Sequence, residues 1–183
     1  MKKIVILTVC LAAFVANSFG QNVIKKGEQG VSSVGVILGH AITSKAFTIG
    51  ADYRYNIDDR IRFAPSALYT LKNDGISSMY LNADAHYLAR ITDKATIYPI
   101  GGVGLSHWRW DSFIIDDLEP LGGHGYSRTI VKETKIRIGV NLGFGGEMRI
   151  TDDIIAGAEF RYNLTSERFY DQAMLLARVA YYF

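Results

Sequence analysis

Long stretches of this chain alternate apolar and polar residues one by one. The longest covers residues 135–150 and puts Ile138 and Leu142 on one face and Arg137 and Asn141 on the other. Successive side chains of a β-strand point to opposite faces of a sheet, so this period of two predicts a strand, whereas a helix would spread the charges around its circumference. Four further stretches repeat the pattern: 47–56, 61–71, 79–91 and 154–164.

The connections between these stretches give the number of strands. Two weaker runs, 31–41 and 96–108, are interrupted by glycines, so their faces stay unassigned, and a final run covers 172–183. Three short turns resemble one another: Asn56-Ile57-Asp58-Asp59, Arg90-Ile91-Thr92-Asp93 and Arg149-Ile150-Thr151-Asp152. The other connections are more varied: 43–45, 72–77, 109–131 and 165–171. Short turns on one side and longer loops on the other are typical of bacterial barrels, and three turns with four loops require eight strands.

Strand length and composition favour a membrane barrel over a soluble sandwich, in which the apolar face would be the core. The runs are about 10–14 residues long, and about 9–11 tilted residues cross a bilayer. The polar faces hold small residues beside charges, as expected in a narrow interior. Aromatic residues at strand ends suit the headgroup level: Tyr55, Tyr69, Tyr87, Trp108, Tyr162 and Tyr181. We therefore predict an all-β fold, an eight-stranded antiparallel up-and-down transmembrane β-barrel.

The first twenty residues have the features of a secretory signal peptide. Lys2 and Lys3 precede about 13 apolar residues. This run is too short to span a membrane, because a transmembrane helix needs about 20 apolar residues. The small residues Ser18 and Gly20 predict cleavage between Gly20 and Gln21. We assign residues 1–20 to the signal peptide, 21–29 to a short periplasmic segment and 30–183 to the barrel.

Removal of this peptide changes the charge and the cysteine content. The whole chain has 20 basic and 18 acidic residues, so losing Lys2 and Lys3 leaves 18 of each and no basic excess for nucleic acid. Cys10, the single cysteine, is lost as well, which excludes a disulfide or a thiol nucleophile in the mature chain. We predict no metal and no cofactor, because the four histidines are not spaced as metal ligands: His40, His86, His107 and His124.

The last strand carries a sorting pattern. Phe183, Tyr181 and Val179 share one apolar face, and this aromatic terminus resembles the C-terminal signal read by the outer-membrane barrel-assembly machinery. Further matching residues are Asp59, Asp93, Asp152 and the stretch 98–104. The mature chain thus resembles the outer-membrane-protein β-barrel family, the small OmpA- and OmpX-like "porin family" barrels. The resemblance implies the outer membrane of a Gram-negative cell and a shared scaffold, but no shared activity.

The polar faces place thirteen ionisable side chains inside the predicted barrel: Asp52, Arg54, Arg62, Asp84, His86, Arg90, Lys135, Arg137, Glu147, Arg149, Glu159, Arg161 and Arg178. By this count eight cations face four carboxylates. Buried charges must be paired, and an eight-stranded barrel has room only for its own side chains. We therefore expect an ion-pair lattice and no open pore, with a cationic surplus that would favour anions in any leak or attract carboxylates from the loops.

The segment 109–131 is the long connection, and long loops are often functional. We predict it as the main extracellular loop and the contact site for an extracellular ligand, beside outer-membrane lipid and lipopolysaccharide as partners. A structural or surface-interaction role follows. Two alternatives stay open: a narrow passive porin-like channel and a lipid-A-modifying enzyme. The enzyme is disfavoured because Ser106 and His107, as strand neighbours, point to opposite faces, so no catalytic residue is assigned.

Overall fold

The computed structural model describes residues 29–118 and 125–183, and for residues 112–118 and 125–131 it describes backbone pairing alone. The predicted signal peptide 1–20, its cleavage site at Gly20/Gln21 and nearly all of the segment 21–29 lie outside the described residues, as does the tip of the connection 109–131. Among the described residues, no helix is long and apolar enough to span a membrane.

The described chain folds into an antiparallel barrel with one short 3₁₀ helix, Arg168–Tyr170. The strands are β1 (Ser32–Ala41), β2 (Ala46–Asn56), β3 (Ile61–Asn73), β4 (Ile76–Tyr87), β5 (Ala89–Arg90), β6 (Ala95–Leu118), β7 (Gly125–Arg149), β8 (Ile154–Thr165) and β9 (Gln172–Tyr182). Sequential strands pair with one another, and β1 pairs with β9 to close the barrel. Because β4 and β5 both pair with β6 and are separated only by Leu88, they fill one position, so the predicted eight-stranded up-and-down barrel is confirmed.

The strand faces follow the predicted alternation. In β3, for example, Arg62 and Ser66 point into the barrel and are buried, while Phe63 between them is exposed on the outer surface. The two runs whose faces the sequence leaves unassigned are now oriented: β1 turns Ile37 inward and β6 turns Tyr98 inward. The outer surface is consequently apolar all round, and the interior is mostly polar.

One end of the barrel, which we call the turn end, carries the three similar turns at 57–60, 91–94 and 150–153. In each turn, the first residue's N–H donates to the carbonyl at the start of the next strand, at 2.8–2.9 Å: Ile57 to Ile61, Ile91 to Ala95 and Ile150 to Ile154. The second residue's side-chain oxygen accepts the N–H of that same strand residue, at 2.9–3.1 Å: Asp58, Thr92 and Thr151. The repeated sequence therefore encodes one turn geometry, and the Asp or Thr at its second position holds it.

The opposite end, which we call the loop end, carries the connections 42–45, 74–75 and 166–171. Although the sequence predicts a loop over 72–77, Asn73 and Ile76 pair directly across a two-residue turn. Asp74 and Gly75 in this turn have φ of 48° and 80°. Positive φ at both central residues is the geometry that matches strand twist, and Asp-Gly is a favoured sequence for it.

The prediction of a loop over 109–131 is wrong for most of this segment, which forms β-strand instead. β6 and β7 stay in continuous register from the turn end to the pair Leu118 and Gly125. Their outer neighbours stop earlier, because β4 pairs with β6 only to Trp110 and β8 pairs with β7 only to Gly139. Residues 111–118 and 125–132 therefore form a two-stranded extension beyond the barrel, which we call the projecting hairpin. The consecutive apolar residues 113–115 break the alternation, but backbone hydrogen bonds continue the ladder.

Candidate functional site

A single connected ion-pair network fills the half of the barrel nearer the turn end, and Arg54 is its centre. The Arg54 guanidinium is 1% exposed and donates to the carboxylates of three residues on three strands: Asp52 at 2.8 Å, Glu147 at 2.9 Å, and Glu159. It also donates to the Tyr98 hydroxyl at 2.8 Å. One guanidinium thus binds carboxylates on strands β2, β7 and β8, which ties opposite walls of the barrel together.

Three further arginines extend this network. Arg62 donates to Glu147 at 2.7 Å, and Arg178 donates to Asp52 at 2.8 Å. Arg161 bridges Glu159 at 2.9 Å and Asp84 at 2.8 Å. Every buried carboxylate in this set therefore accepts from at least one guanidinium, as buried charges require.

The buried charges balance, which corrects the predicted cationic surplus. Four arginines (54, 62, 161 and 178) face four carboxylates (52, 84, 147 and 159), all buried. The other predicted interior cations lie toward the two ends and are half-buried or exposed: Arg90, Lys135, Arg137 and Arg149. Lys135 is solvent-exposed, so its predicted place in the buried lattice is wrong. Sequence alternation fixes which face a residue is on but not its depth, and depth decides whether a charge needs a partner.

Two aromatic rings are packed into this charged layer. The Tyr98 ring lies parallel to His86, with centroids 4.7 Å apart and planes at 9°. A β-carbon on Gly145 would lie 2.5 Å from the Tyr98 ring, so glycine is needed there for the ring to cross β7. His86 is in the interior as predicted, but it is held by stacking, since neither ring nitrogen has a hydrogen-bond partner among the described residues.

A layer of amides lies next to the charged network on the loop-end side. The Asn141 amide donates to Asn82 at 3.0 Å and to Asp84 at 2.8 Å. Asn163 donates to Asn141 at 2.6 Å, and Asn82 donates to the Ser66 hydroxyl at 3.1 Å. This layer has no net charge and connects four strands. It lies between the ion pairs and the apolar side chains in the interior nearer the loop end.

An apolar and aromatic cluster lies in the half of the interior nearer the loop end, which the sequence did not predict. This cluster, which we call the aromatic plug, is made of Ile37, Ala41, Leu68, Tyr80, Trp108, Tyr170, Met174 and Leu176. Trp108 was predicted at a membrane interface; instead its indole is buried, donates to Ser106 at 3.1 Å and packs edge-on against Tyr80 at 6.0 Å. Leu68 lies on the polar face of the alternating pattern in β3. An apolar residue on that face is the sequence feature that could have indicated an apolar cluster in the interior.

The plug ends in a group of side chains at the loop-end mouth. Trp110 stacks on Trp108 with centroids 6.0 Å apart, and exposed Phe169 stacks on Trp110 at 6.4 Å. The Arg137 guanidinium lies 4.7 Å from the Tyr170 ring centroid and donates to Glu167 at 2.8 Å. The mouth therefore presents aromatic rings bordered by a fixed ion pair.

A second ion pair lies on the outward side at the base of the projecting hairpin. The hydrogen bond from the Lys72 ammonium lowers the pKa of the Asp111 carboxyl, and the positive charges of Lys132 and Arg109 act in the same direction. Because Lys72 is largely exposed, this pair contributes little to stability.

The histidines and serines form no catalytic dyad in the described residues. Ser106 is buried in the interior while His107 is exposed on the outer surface, as their adjacency on one strand predicts. His40 faces outward and packs edge-on against Phe47 at 5.7 Å. His124 lies outside the described residues. Within the described parts of the chain, no three His, Cys, Asp or Glu side chains are grouped so as to hold a metal ion.

The fold resembles solved outer-membrane barrels. The N-terminal β-barrel domain of OprF from Pseudomonas aeruginosa matches with a TM-score of 0.59 and 18% identity, covering 86% of this chain and 100% of that one. Ail from Yersinia pestis matches with a TM-score of 0.54 and 15% identity, covering 85% and 99%. Neisserial surface protein A matches with a TM-score of 0.52 and 16% identity, covering 86% and 97%. At these identities the likeness establishes the fold alone.

A family model gives the broader assignment. No curated protein sequence matches the chain. The model of the outer membrane protein beta-barrel domain matches residues 4–183. The predicted family resemblance is thereby confirmed, and the apolar outer surface is the surface that faces lipid. The chain belongs to the outer membrane protein beta-barrel domain family and lies in the outer membrane.

Proposed function

We propose that this chain is a surface-interaction protein whose contact surface is the loop end, with the projecting hairpin as its main extracellular element. One observation carries the proposal: residues 111–118 and 125–132 extend beyond the strands that flank them. Such a hairpin adds nothing to barrel closure, and its outer edges pair with no other described strand. Segments longer than the fold requires are often functional, and unpaired strand edges are ready to bind.

The filled interior supports a contact role over the alternative of a narrow passive channel. Ion pairs, amides and the aromatic plug follow one another from the turn end to the loop end, and each layer spans the interior from wall to wall. A solute would have to displace buried side chains that are hydrogen-bonded to their neighbours, such as Arg54 and Trp108.

We expect no regular single-channel steps when the purified protein is placed in planar bilayers, and reproducible steps would favour the channel instead.

The hairpin is tested by a deletion that preserves the barrel. Trp110 and Glu133 pair across β6 and β7, so residues 111–132 can be replaced by an Asn-Gly turn at that point. Bacteria that display this variant should lose adhesion to surfaces coated with extracellular-matrix protein or heparin. The control is Asp74→Asn, which alters the neighbouring two-residue turn and leaves the hairpin in place. Equal adhesion by the deletion variant and the wild type would remove the hairpin from the contact surface.

Ligand binding has a precedent on this fold, since Ail has been crystallised in complex with the heparin analogue sucrose octasulfate. Outer-membrane lipid and lipopolysaccharide are the other proposed partners, because they surround the apolar wall and its rim. We propose no catalytic role, and the opposed directions of Ser106 and His107 support this against a lipid-A-modifying enzyme. The export assignment also stays a proposal: signal peptide 1–20 cleaved at Gly20/Gln21, segment 21–29 and barrel 30–183.

We also propose that the barrel-assembly machinery reads Phe183, Tyr181 and Val179. These side chains lie on the outer face of the closing strand, where the Phe183 ring stacks on Tyr181 at 6.2 Å. The Phe183 backbone exchanges two 2.8 Å hydrogen bonds with Ser32, so its side chain can be changed while the closure remains.

Phe183→Ala should therefore slow assembly more than it lowers stability. We expect reduced levels in the outer membrane, with urea unfolding of the purified, folded variant close to that of the wild type. Phe183→Tyr keeps the aromatic terminus and should assemble normally. Normal outer-membrane levels of Phe183→Ala would contradict the sorting role.

A further inference from the structure

We propose that the loop-end mouth carries a saccharide-binding platform formed by the rings of Phe169 and Trp110. The inference rests on the proposed function, since it places a ligand class on the surface that this function makes the contact surface. It also adds something new, because the platform lies at the mouth of the barrel and not along the projecting hairpin.

The platform is an exposed aromatic surface on a rigid base. Phe169 is 69% exposed, yet its ring packs against two others. Its ring centroid lies 6.4 Å from that of Trp110 and 5.3 Å from that of Tyr170. Those two rings in turn pack on buried Trp108, at 6.0 and 5.6 Å. The column continues into the aromatic plug, so the exposed ring is held in place before any ligand arrives, and little ordering cost remains for binding.

Polar groups of both kinds border the rings. The Arg137–Glu167 pair lies against Tyr170. On the same inward side of β7, exposed Lys135 and Glu133 lie opposite the two tryptophans, in register with Trp108 and Trp110 respectively. Donors and acceptors thus stand around an apolar surface at the solvent-exposed mouth of the barrel.

A sugar ring fits this arrangement best. Its C–H face is weakly positive and packs on the negative face of an aromatic ring, while its hydroxyls point outward and need both donors and acceptors. An acyl chain or an apolar peptide would cover the same rings but would strip water from Arg137, Glu167 and Lys135 without replacing their hydrogen bonds. The same chemistry serves two sources, the oligosaccharide of lipopolysaccharide in the same membrane and a soluble glycan from outside.

Intrinsic fluorescence measures this site directly, because Trp108 and Trp110 are the only two tryptophans in the chain. The full mature chain in nanodiscs free of lipopolysaccharide is titrated with deacylated rough-type lipopolysaccharide, with chitohexaose and with a hyaluronan hexamer. We expect saturable quenching by at least one of them. Saturation only by the deacylated lipopolysaccharide identifies the membrane's own saccharide as the ligand. Saturation by chitohexaose or the hyaluronan hexamer identifies an external glycan.

The variants separate the platform from a merely structural cluster. Phe169→Ala should weaken the saturable binding tenfold or more, and Phe169→Tyr should restore most of it. Phe47→Ala is the matched control, because Phe47 is also 69% exposed near the loop end but faces outward, and it should bind as the wild type does. All variants should keep the gel mobility of a folded barrel. Absence of saturable quenching by all three saccharides, or equal affinity in Phe169→Ala, would overturn the proposal.

This failure is distinguishable from failure of the proposed function. If adhesion depends on the projecting hairpin while no saccharide binds, the contact role stands and the ligand class is wrong. If Phe169-dependent saccharide binding persists while the hairpin deletion leaves adhesion unchanged, the platform stands and the hairpin has no part in contact.

Discussion

Replacing Arg54 with methionine should lower the free energy of unfolding by about 3–5 kcal/mol, the usual cost of removing one partner of a buried ion pair. The loss is large because Arg54 serves Asp52, Glu147 and Glu159 together, and all three carboxylates would stay buried with fewer donors. Urea unfolding in phospholipid vesicles, under conditions where folding is reversible, measures the change.

Two further variants show whether the cost comes from uncompensated charge. Arg137→Met removes the same group from a partly exposed position with one carboxylate partner, and it should cost about 1 kcal/mol or less. Adding Glu159→Gln to Arg54→Met should recover part of the loss, because the three remaining buried arginines then face three carboxylates and the charges balance again. An Arg54→Met barrel as stable as the wild type would show that the network does not stabilise the interior.

Replacing Val140 with arginine should lower the free energy of unfolding by about 2–4 kcal/mol, the range for a basic residue on the lipid side near the middle of a bilayer. Val140 is 49% exposed on the outer surface and lies midway along the apolar outer face of β7. The same urea titration in vesicles provides the measurement.

Depth provides the control for this second prediction. Ile136→Arg places the same side chain on the same strand and face but nearer the loop end, where the cost should fall to about 0–1 kcal/mol. Equal costs at Val140 and Ile136, or unperturbed stability of Val140→Arg, would mean that the outer face does not sit in hydrocarbon.

The barrel was predictable from sequence because its strongest constraint is local. Alternation along residues 135–150 assigns every side chain to lipid or interior, and a shift by one residue would reverse all of them. The three similar turns then fix the order of the strands. The glycine-rich runs at 31–41 and 96–108 stayed unassigned because glycines have no side chain to carry the pattern. The register with neighbouring strands is what orients them.

The composition of the interior at each depth was not predictable. Alternation put Lys135 and Arg54 on the same face, but only the pairing of strands shows that Arg54 is buried among carboxylates and Lys135 lies at the open mouth. Trp108 looked like an interface residue because aromatic rings favour that level, and the structure instead buries it in the plug. The hairpin beyond Trp110 depends on backbone pairing, which the pattern of apolar and polar residues does not reveal.

The central claim is that a closed barrel, with lipid against its apolar outer face, is the native form of this chain. A heat-modifiability gel on fractionated cells tests this most directly, because it reports location and closure together. We predict that the protein is found in the outer-membrane fraction and migrates differently before and after boiling. A detergent-free protein in the periplasmic fraction, with one mobility at both temperatures, would contradict it.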